Sequence, residues 1–127
     1  MMKVSVVVPT YNEAENIKKL VPLLDSVLKD YDHEIIIVDD NSPDGTAKVA
    51  KKLAEQYPVK ILKREKKLGL ASAILYGFMN ANGDVLGVID ADLQHPPELL
   101  GEMAKKIEDG YDIVIASRYV EGGGIEG

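Results

Sequence analysis

Carboxylates at short, fixed spacings are the residues of this chain best suited to chemistry. Asp90 and Asp92 stand two apart in Asp90-Ala-Asp-Leu-Gln-His-Pro-Pro-Glu98, directly after an apolar, β-branched run. In extended backbone, side chains two apart leave on the same side, so the pair can share one ion. Oxygen-only ligands suit a hard dication, Mg2+ or Mn2+, which keeps waters and takes substrate phosphates in its open positions. Gln94 offers a further carbonyl oxygen two residues on. More acids follow other apolar runs: Glu13 in Pro9-Thr-Tyr-Asn-Glu13, and Asp39-Asp40 at the head of Asp39-Asp-Asn-Ser-Pro-Asp-Gly-Thr46. Ser117-Arg118-Tyr119 supplies a cation at the equivalent point of another run.

Each feature alone has an ordinary structural role open to it. Asp after a strand is a common turn former, and Asp44-Gly45 reads as turn material. Pro9 can simply end a strand, and Tyr11 can be a half-buried ring. His95 reads as a loop residue, and Arg118 as a partner for Glu121 or Glu98. Lys63, Arg64, Lys66 and Lys67 form a basic cluster whose default is a solvated loop. Gly77, inside a helical pattern, costs about 1 kcal/mol relative to Ala and points to close packing.

What raises the set above these ordinary roles is where the elements put it. Runs at Val4–Val8, Ile35–Val38, Val59–Leu62, Val85–Ile89 and Ile113–Ile115 read as strands buried on both faces. Between them lie helical spacings. Ile17, Leu20, Val21, Leu24, Val27 and Leu28 make one apolar stripe, with Asn12 and Glu15 as a capping signal. Ala47, Ala50, Leu53, Ala54 and Tyr57 mark a second helix, with Ser42 as cap and Pro43 at its first position. Ala71, Ile74, Leu75 and Phe78 mark a third; Leu99, Leu100, Met103 and Ile107 a fourth. The alternation predicts an α/β fold: a three-layer, open, mainly parallel sheet with helices on both faces. Ligands of such sheets bind outside the carboxyl ends of the strands, where the acids gather.

Composition narrows the rest. The 127 residues make one domain, 1–120, with a flexible Gly-rich tail over 121–127. Fifteen basic against 21 acidic residues, a net charge of −6, argue against nucleic acid as a partner. No cysteine means no thiolate nucleophile or ligand, and a cytoplasmic location is expected. No apolar run approaches the roughly 18 residues of a membrane span. The G-x-G-x-x-G and G-x-x-x-x-G-K-[ST] fingerprints are absent, so dinucleotide and Walker-type sites lose their support.

Val6-Val-Val-Pro-Thr-Tyr-Asn-Glu13, Val38-Asp-Asp-Asn-Ser-Pro-Asp-Gly-Thr46 and Asp90-Ala-Asp-Leu-Gln-His-Pro-Pro-Glu98 together resemble the family 2, GT-A-fold glycosyltransferases. Within them the match is to polyprenol-phosphate sugar synthases of the dolichol-phosphate mannose synthase type; Gly69-Leu70 and Ser117-Arg-Tyr-Val120 also fit. The resemblance implies inverting transfer of mannose from GDP-mannose to a dolichyl or other polyprenyl phosphate. It implies that Pro9, Tyr11, Glu13, Val38 and Asp40 line the base and ribose pocket, with Asp40 on a base edge. Asp90 and Ala91 would continue that pocket, and Asp90, Asp92 and Gln94 would hold the metal. Asp92 and Arg118 would be the catalytic pair, with Arg118 reaching the acceptor phosphate. That acceptor, with a second pKa near 6, is already a nucleophile at neutral pH and calls for no side-chain base. Family catalytic domains run on beyond the Ser-Arg-Tyr strand. The acceptor region and the contacts with the cytoplasmic face of a membrane are therefore expected to belong to parts missing from this chain. Two other functions are weighed against this one. A non-catalytic nucleotide-sugar-binding module would bind donor without transfer. A phosphorelay receiver domain would carry its acidic pair after the first strand, whereas Asp39-Asp40 follow the second.

Overall fold

The computed structural model describes residues 3–65, 69–89 and 91. The helix expected around 99–107, the strand at 113–115 and the tail at 121–127 lie outside the described residues. Within them the chain alternates strand and helix: β1 (Lys3–Thr10), α1 (Ala14–Val27), β2 (Asp32–Asp39), α2 (Thr46–Leu53), β3 (Val59–Lys63), α3 (Leu70–Met79) and β4 (Val85–Val88). The four strands form one sheet in the order β3-β2-β1-β4, and every pairing is parallel.

Period-two alternation of branched side chains explains the layering. Val4, Val6 and Val8 of β1 and Ile35 and Ile37 of β2 pack on one face with the α1 stripe Ile17, Leu20, Val21, Leu24 and Leu28, and with Ala50 of α2. Val7, Ile36, Val38 and Val88 point to the other face and meet Ala73 of α3. The chain steps outward from β1 to β3 and then returns past β1 to β4. A reversal of direction with right-handed crossovers places the third helix opposite the first two. The same reversal puts the topological switch point, where such sheets bind their ligands, between the carboxyl ends of β1 and β4. A receiver domain would instead set its third strand beside its first, so this strand order excludes that reading. One expectation needs correction: β3 is only partly buried, because it forms the edge of the described sheet.

Gly77 lets α3 lie against the sheet. A Cβ there would fall 2.5 Å from Cγ1 and 2.8 Å from Cγ2 of Val7, which is fully buried. Gly77→Ala must push helix from sheet, and a loss of about 1–3 kcal/mol in unfolding free energy, read by denaturant titration, is expected. Val7→Ala in the Gly77→Ala background should recover part of that loss, since it removes the clashing methyls.

At the amino-terminal edge a polar cluster around the buried Ser5 and Glu34 joins β1, β2, β3 and the turn before β4. The Ser5 hydroxyl donates to Glu34 Oε2 at 2.7 Å, the Asn82 N–H donates to the same oxygen at 2.7 Å, and Lys60 Nζ lies 3.3 Å from Oε1. Gly83 N–H donates to Ser5 Oγ at 2.8 Å, and Lys60 donates to the Asn80 carbonyl. Burial works against the Glu34 charge, but the bonds from Asn82, Ser5 and Lys60 outweigh it and hold the carboxyl below its usual range. A lowered carboxyl pKa stabilises the fold above the unfolded-state value and ceases to do so as pH falls through the folded-state value. Thermal melts on acidification should therefore show a shallower decline for Glu34→Gln than for the wild type. Parallel pH profiles would remove Glu34 from the acid response.

Candidate functional site

The carboxyl edge of the sheet presents, from β3 to β4, Arg64, then Asp40, then Thr10 and Tyr11, then Ile89 and Ala91. Backbone bonds tie these ends together: Arg64 N–H to the Asp39 carbonyl at 2.8 Å, Asp40 N–H to the Thr10 carbonyl at 3.2 Å, and Ile89 N–H to the Val7 carbonyl at 3.1 Å. Thr10 lies opposite Asp39 in the β1–β2 register.

The loop that enters α1 is held by the loop that follows β2. Asn12 N–H donates to Ser42 Oγ at 2.8 Å, and that hydroxyl donates on to Asp39 Oδ1. Glu13 N–H donates to Thr46 Oγ1 at 3.1 Å, and that hydroxyl donates on to Asp44 Oδ1. Ala14 N–H donates directly to Asp44 Oδ2 at 3.2 Å. Three successive backbone donors thus end on two carboxylates, one of them, Asp39, fully buried and also bonded by the Thr10 hydroxyl at 2.9 Å. Desolvation by its neighbours opposes the Asp44 charge, yet the Thr46 hydroxyl and the N–H groups of Ala14 and Thr46 outweigh it and hold its carboxyl below the ordinary range.

This arrangement corrects two expectations. Asn12 does not cap α1: it sits at φ 56°, Glu13 occupies the cap position with no side-chain bond to a backbone N–H of the helix, and the caps come from Ser42, Asp44 and Thr46. Nor do Ser42 and Pro43 open α2, which starts at Thr46 after Gly45 at φ 84°. The left-handed turn at Gly45 frees Ser42 and Asp44 to serve the other helix.

Asp40 and Arg64 form a buried ion pair. Arg64 Nε donates to Asp40 Oδ1 at 2.7 Å and an Nη2 hydrogen to Oδ2 at 2.8 Å; the side chains of Arg64 and Asp40 are 8% and 7% exposed respectively. The guanidinium also donates to Ser72 Oγ at 2.7 Å and to the Gly69 carbonyl at 3.3 Å, reaching the first turn of α3. Arg64 is therefore no member of a solvated basic run; its neighbours Lys63 and Glu65 are exposed while it turns inward. The signal that could have found it is its place one residue past an apolar strand, level with the end of β2.

Of the nucleotide-pocket candidates, the structure brings Pro9, Tyr11, Glu13 and Asp40 to this edge. Tyr11 is 40% exposed, and the Glu13 carboxylate accepts from the Asn16 side chain at 2.6 Å. Val38 is a core residue packed toward α3, so any contact it makes with a ligand is through its backbone. Ala91 is buried with Ile89 on the α1 side. Asp90, Asp92, Gln94, His95 and Arg118 lie outside the described residues.

The strand order β3-β2-β1-β4 is that of a doubly wound, nucleotide-binding type of α/β sheet, and its likeness to a solved mannosyltransferase makes it the GT-A class. The glycosyl transferase family 2 sequence profile matches residues 5–126, and the chain belongs to that family. It is 51% identical over 125 residues to a dolichol-phosphate mannosyltransferase of Pyrococcus furiosus, covering 98% of this chain and 36% of that protein. A dolichol-phosphate mannosyltransferase of Saccharomyces cerevisiae is 41% identical, over 96% of this chain and 47% of its own length. Among solved structures, the mannosyltransferase PcManGT of Pyrobaculum calidifontis, in complex with GDP-Man and Mn2+, superposes with a TM-score of 0.69 at 31% identity, covering 84% of this chain and 32% of that one. The chain thus spans less than half the length of these curated relatives.

If the β2–α2 loop caps α1, Asp44→Ala should cost about 1 kcal/mol, as loss of an N-cap does. Hydrogen exchange should speed up at Ala14 and at the start of α1 while the β1–β2 ladder stays protected. Unchanged exchange at Ala14 would refute the cross-cap.

Proposed function

We propose that this chain forms the donor-binding part of a metal-dependent, inverting mannosyltransferase that uses GDP-mannose and a polyprenyl phosphate, dolichyl phosphate being one such acceptor. The observation that carries this reading is the 51% identity to a dolichol-phosphate mannosyltransferase across 98% of the chain. The GDP-Man and Mn2+ bound by the similar Pyrobaculum enzyme support the donor and the ion.

The donor is laid along the carboxyl edge. Pro9, Tyr11, Glu13, the Val38 backbone and Asp40 take the base and ribose, with Ala91 at the far side of the crevice. Asp90, Asp92 and Gln94 are the residues that would hold Mg2+ or Mn2+. Their donor set is oxygen throughout, which fits a hard dication, and the flanking Ile89 and Ala91 are buried at the end of β4. When bound, the ion supplies Lewis-acid stabilisation to the departing diphosphate. The chain's own part is to hold the base at one end of the crevice and keep the sugar-bearing end at β4, so that the acceptor meets a fixed anomeric carbon. Arg118 is assigned to the acceptor phosphate, a charge-assisted contact suited to a guanidinium. A phosphate acceptor brings its own nucleophilic oxygen, and no carboxylate of this edge is given the role of base.

Among the described residues no helix is long and apolar enough to cross a membrane. The membrane and lipid contacts of the whole enzyme, at the cytoplasmic face, are assigned to parts beyond this match. Calorimetric titration with GDP, UDP and GDP-mannose, each with and without Mn2+, tests the reading. Binding should strengthen with the ion, and Asp92→Ala should abolish that increment. An Asp92→Ala protein with the full metal-dependent affinity would overturn the ligand assignment.

A further inference from the structure

Arg64 has no direct part in the donor contacts, yet it is the buried cation beside the proposed base pocket. We propose that Arg64 sets which nucleobases the site accepts, acting through Asp40; this rests on the reading that Asp40 meets the base.

A guanidinium only donates, and this one places a donor on each oxygen of Asp40. Two consequences follow. The plane of the carboxylate is fixed by a fork–fork pair, and the fork is itself anchored by Ser72 Oγ and the Gly69 carbonyl at the start of α3. Every lone pair that Asp40 has left to offer is an acceptor. A base edge that docks against it must therefore present N–H groups. Guanine does so with N1–H and the 2-amino group, and uracil with N3–H. Adenine N1 and cytosine N3 carry lone pairs at the matching position and would face the carboxylate oxygens acceptor to acceptor. Only 7% of the Asp40 side chain is exposed, so water has little room to bridge such a mismatch. Lysine cannot replace this device, because a point charge on a flexible stem does not hold both oxygens and Ser72 together. Arg64 is thus a positioning residue that decides specificity without touching the ligand.

The test measures dissociation constants of GDP, UDP, ADP and CDP with Mg2+ for the wild type and Arg64→Lys. The wild type should prefer GDP and UDP over ADP and CDP by tenfold or more, and Arg64→Lys should shrink that ratio at least fivefold. A merely structural role would weaken all four nucleotides together and leave the ratio intact. In case Arg64→Lys does not fold, the Arg64 Nε–H resonance of the wild type is followed by NMR; it should move on addition of GDP and stay put with ADP. An unchanged ratio in folded Arg64→Lys, or a resonance indifferent to GDP, would overturn the role of Arg64 while leaving nucleotide binding standing. Failure of every nucleotide to bind the wild type would overturn this inference and the proposed function together.

Discussion

The buried pair of Asp40 and Arg64 is the interaction on which the carboxyl edge depends. Each charge alone would be costly to bury, and removing one partner of such a pair costs on the order of 3–5 kcal/mol. The geometry here meets the condition under which burial is tolerable: the pairing is bidentate, and further guanidinium hydrogens find Ser72 and Gly69. Since Arg64 follows β3, Asp40 follows β2 and Ser72 belongs to α3, one side chain sets the relative positions of three elements. The parallel ladder fixes strand register, but it does not fix where a helix on the far face begins. Arg64 does.

The hydroxyl relays do for the other face what the ion pair does for this one. Ser42 and Thr46 each accept from the loop before α1 and donate to an acid, so the N–H groups of Asn12 and Glu13 are satisfied without a cap from their own segment. The loop is held through its backbone, and Tyr11 is exposed at the same edge. Holding the loop in advance also reduces the ordering cost of any ligand that binds there.

Most of the architecture was legible in the sequence because it rests on periodicity. The α1 stripe at Ile17, Leu20, Val21 and Leu24 and the alternation along Val4–Val8 are local patterns whose burial has one solution. Close packing at Gly77 was legible for the same reason, since a glycine costs stability within a helical stripe unless a neighbouring element needs the space of its missing side chain. Capping and charge burial were not legible, because their partners come from elsewhere in the chain. Asn12 and Glu15 matched a local cap signal, but the acceptors that serve this helix stand about thirty residues on. Arg64 sat in a cluster of four basic residues, Lys63, Arg64, Lys66 and Lys67, that composition treats alike, and only the end of β2 singles it out. The alternate spacing of Ser42, Asp44 and Thr46 was the one available hint that this loop supplies acceptors in a row.

The commitment of Arg64 also bears on how this edge can treat a diphosphate. A guanidinium has five N–H donors, and four of the bonds they can make already have partners within the protein. The buried cation of the described edge is thus committed to organising an acid and has little left for a phosphate. On a chain of net charge −6, the anionic donor of the proposed function would need positive charge from another source. An acid pair such as Asp90 and Asp92 would make the deficit worse if left bare, and removes it when it carries a dication. The protein's acidity and the proposed metal are on this view two sides of one constraint. The arginine at this edge is held by a carboxylate, and under the proposed function the pyrophosphate charge would be met by a cation on Asp90 and Asp92.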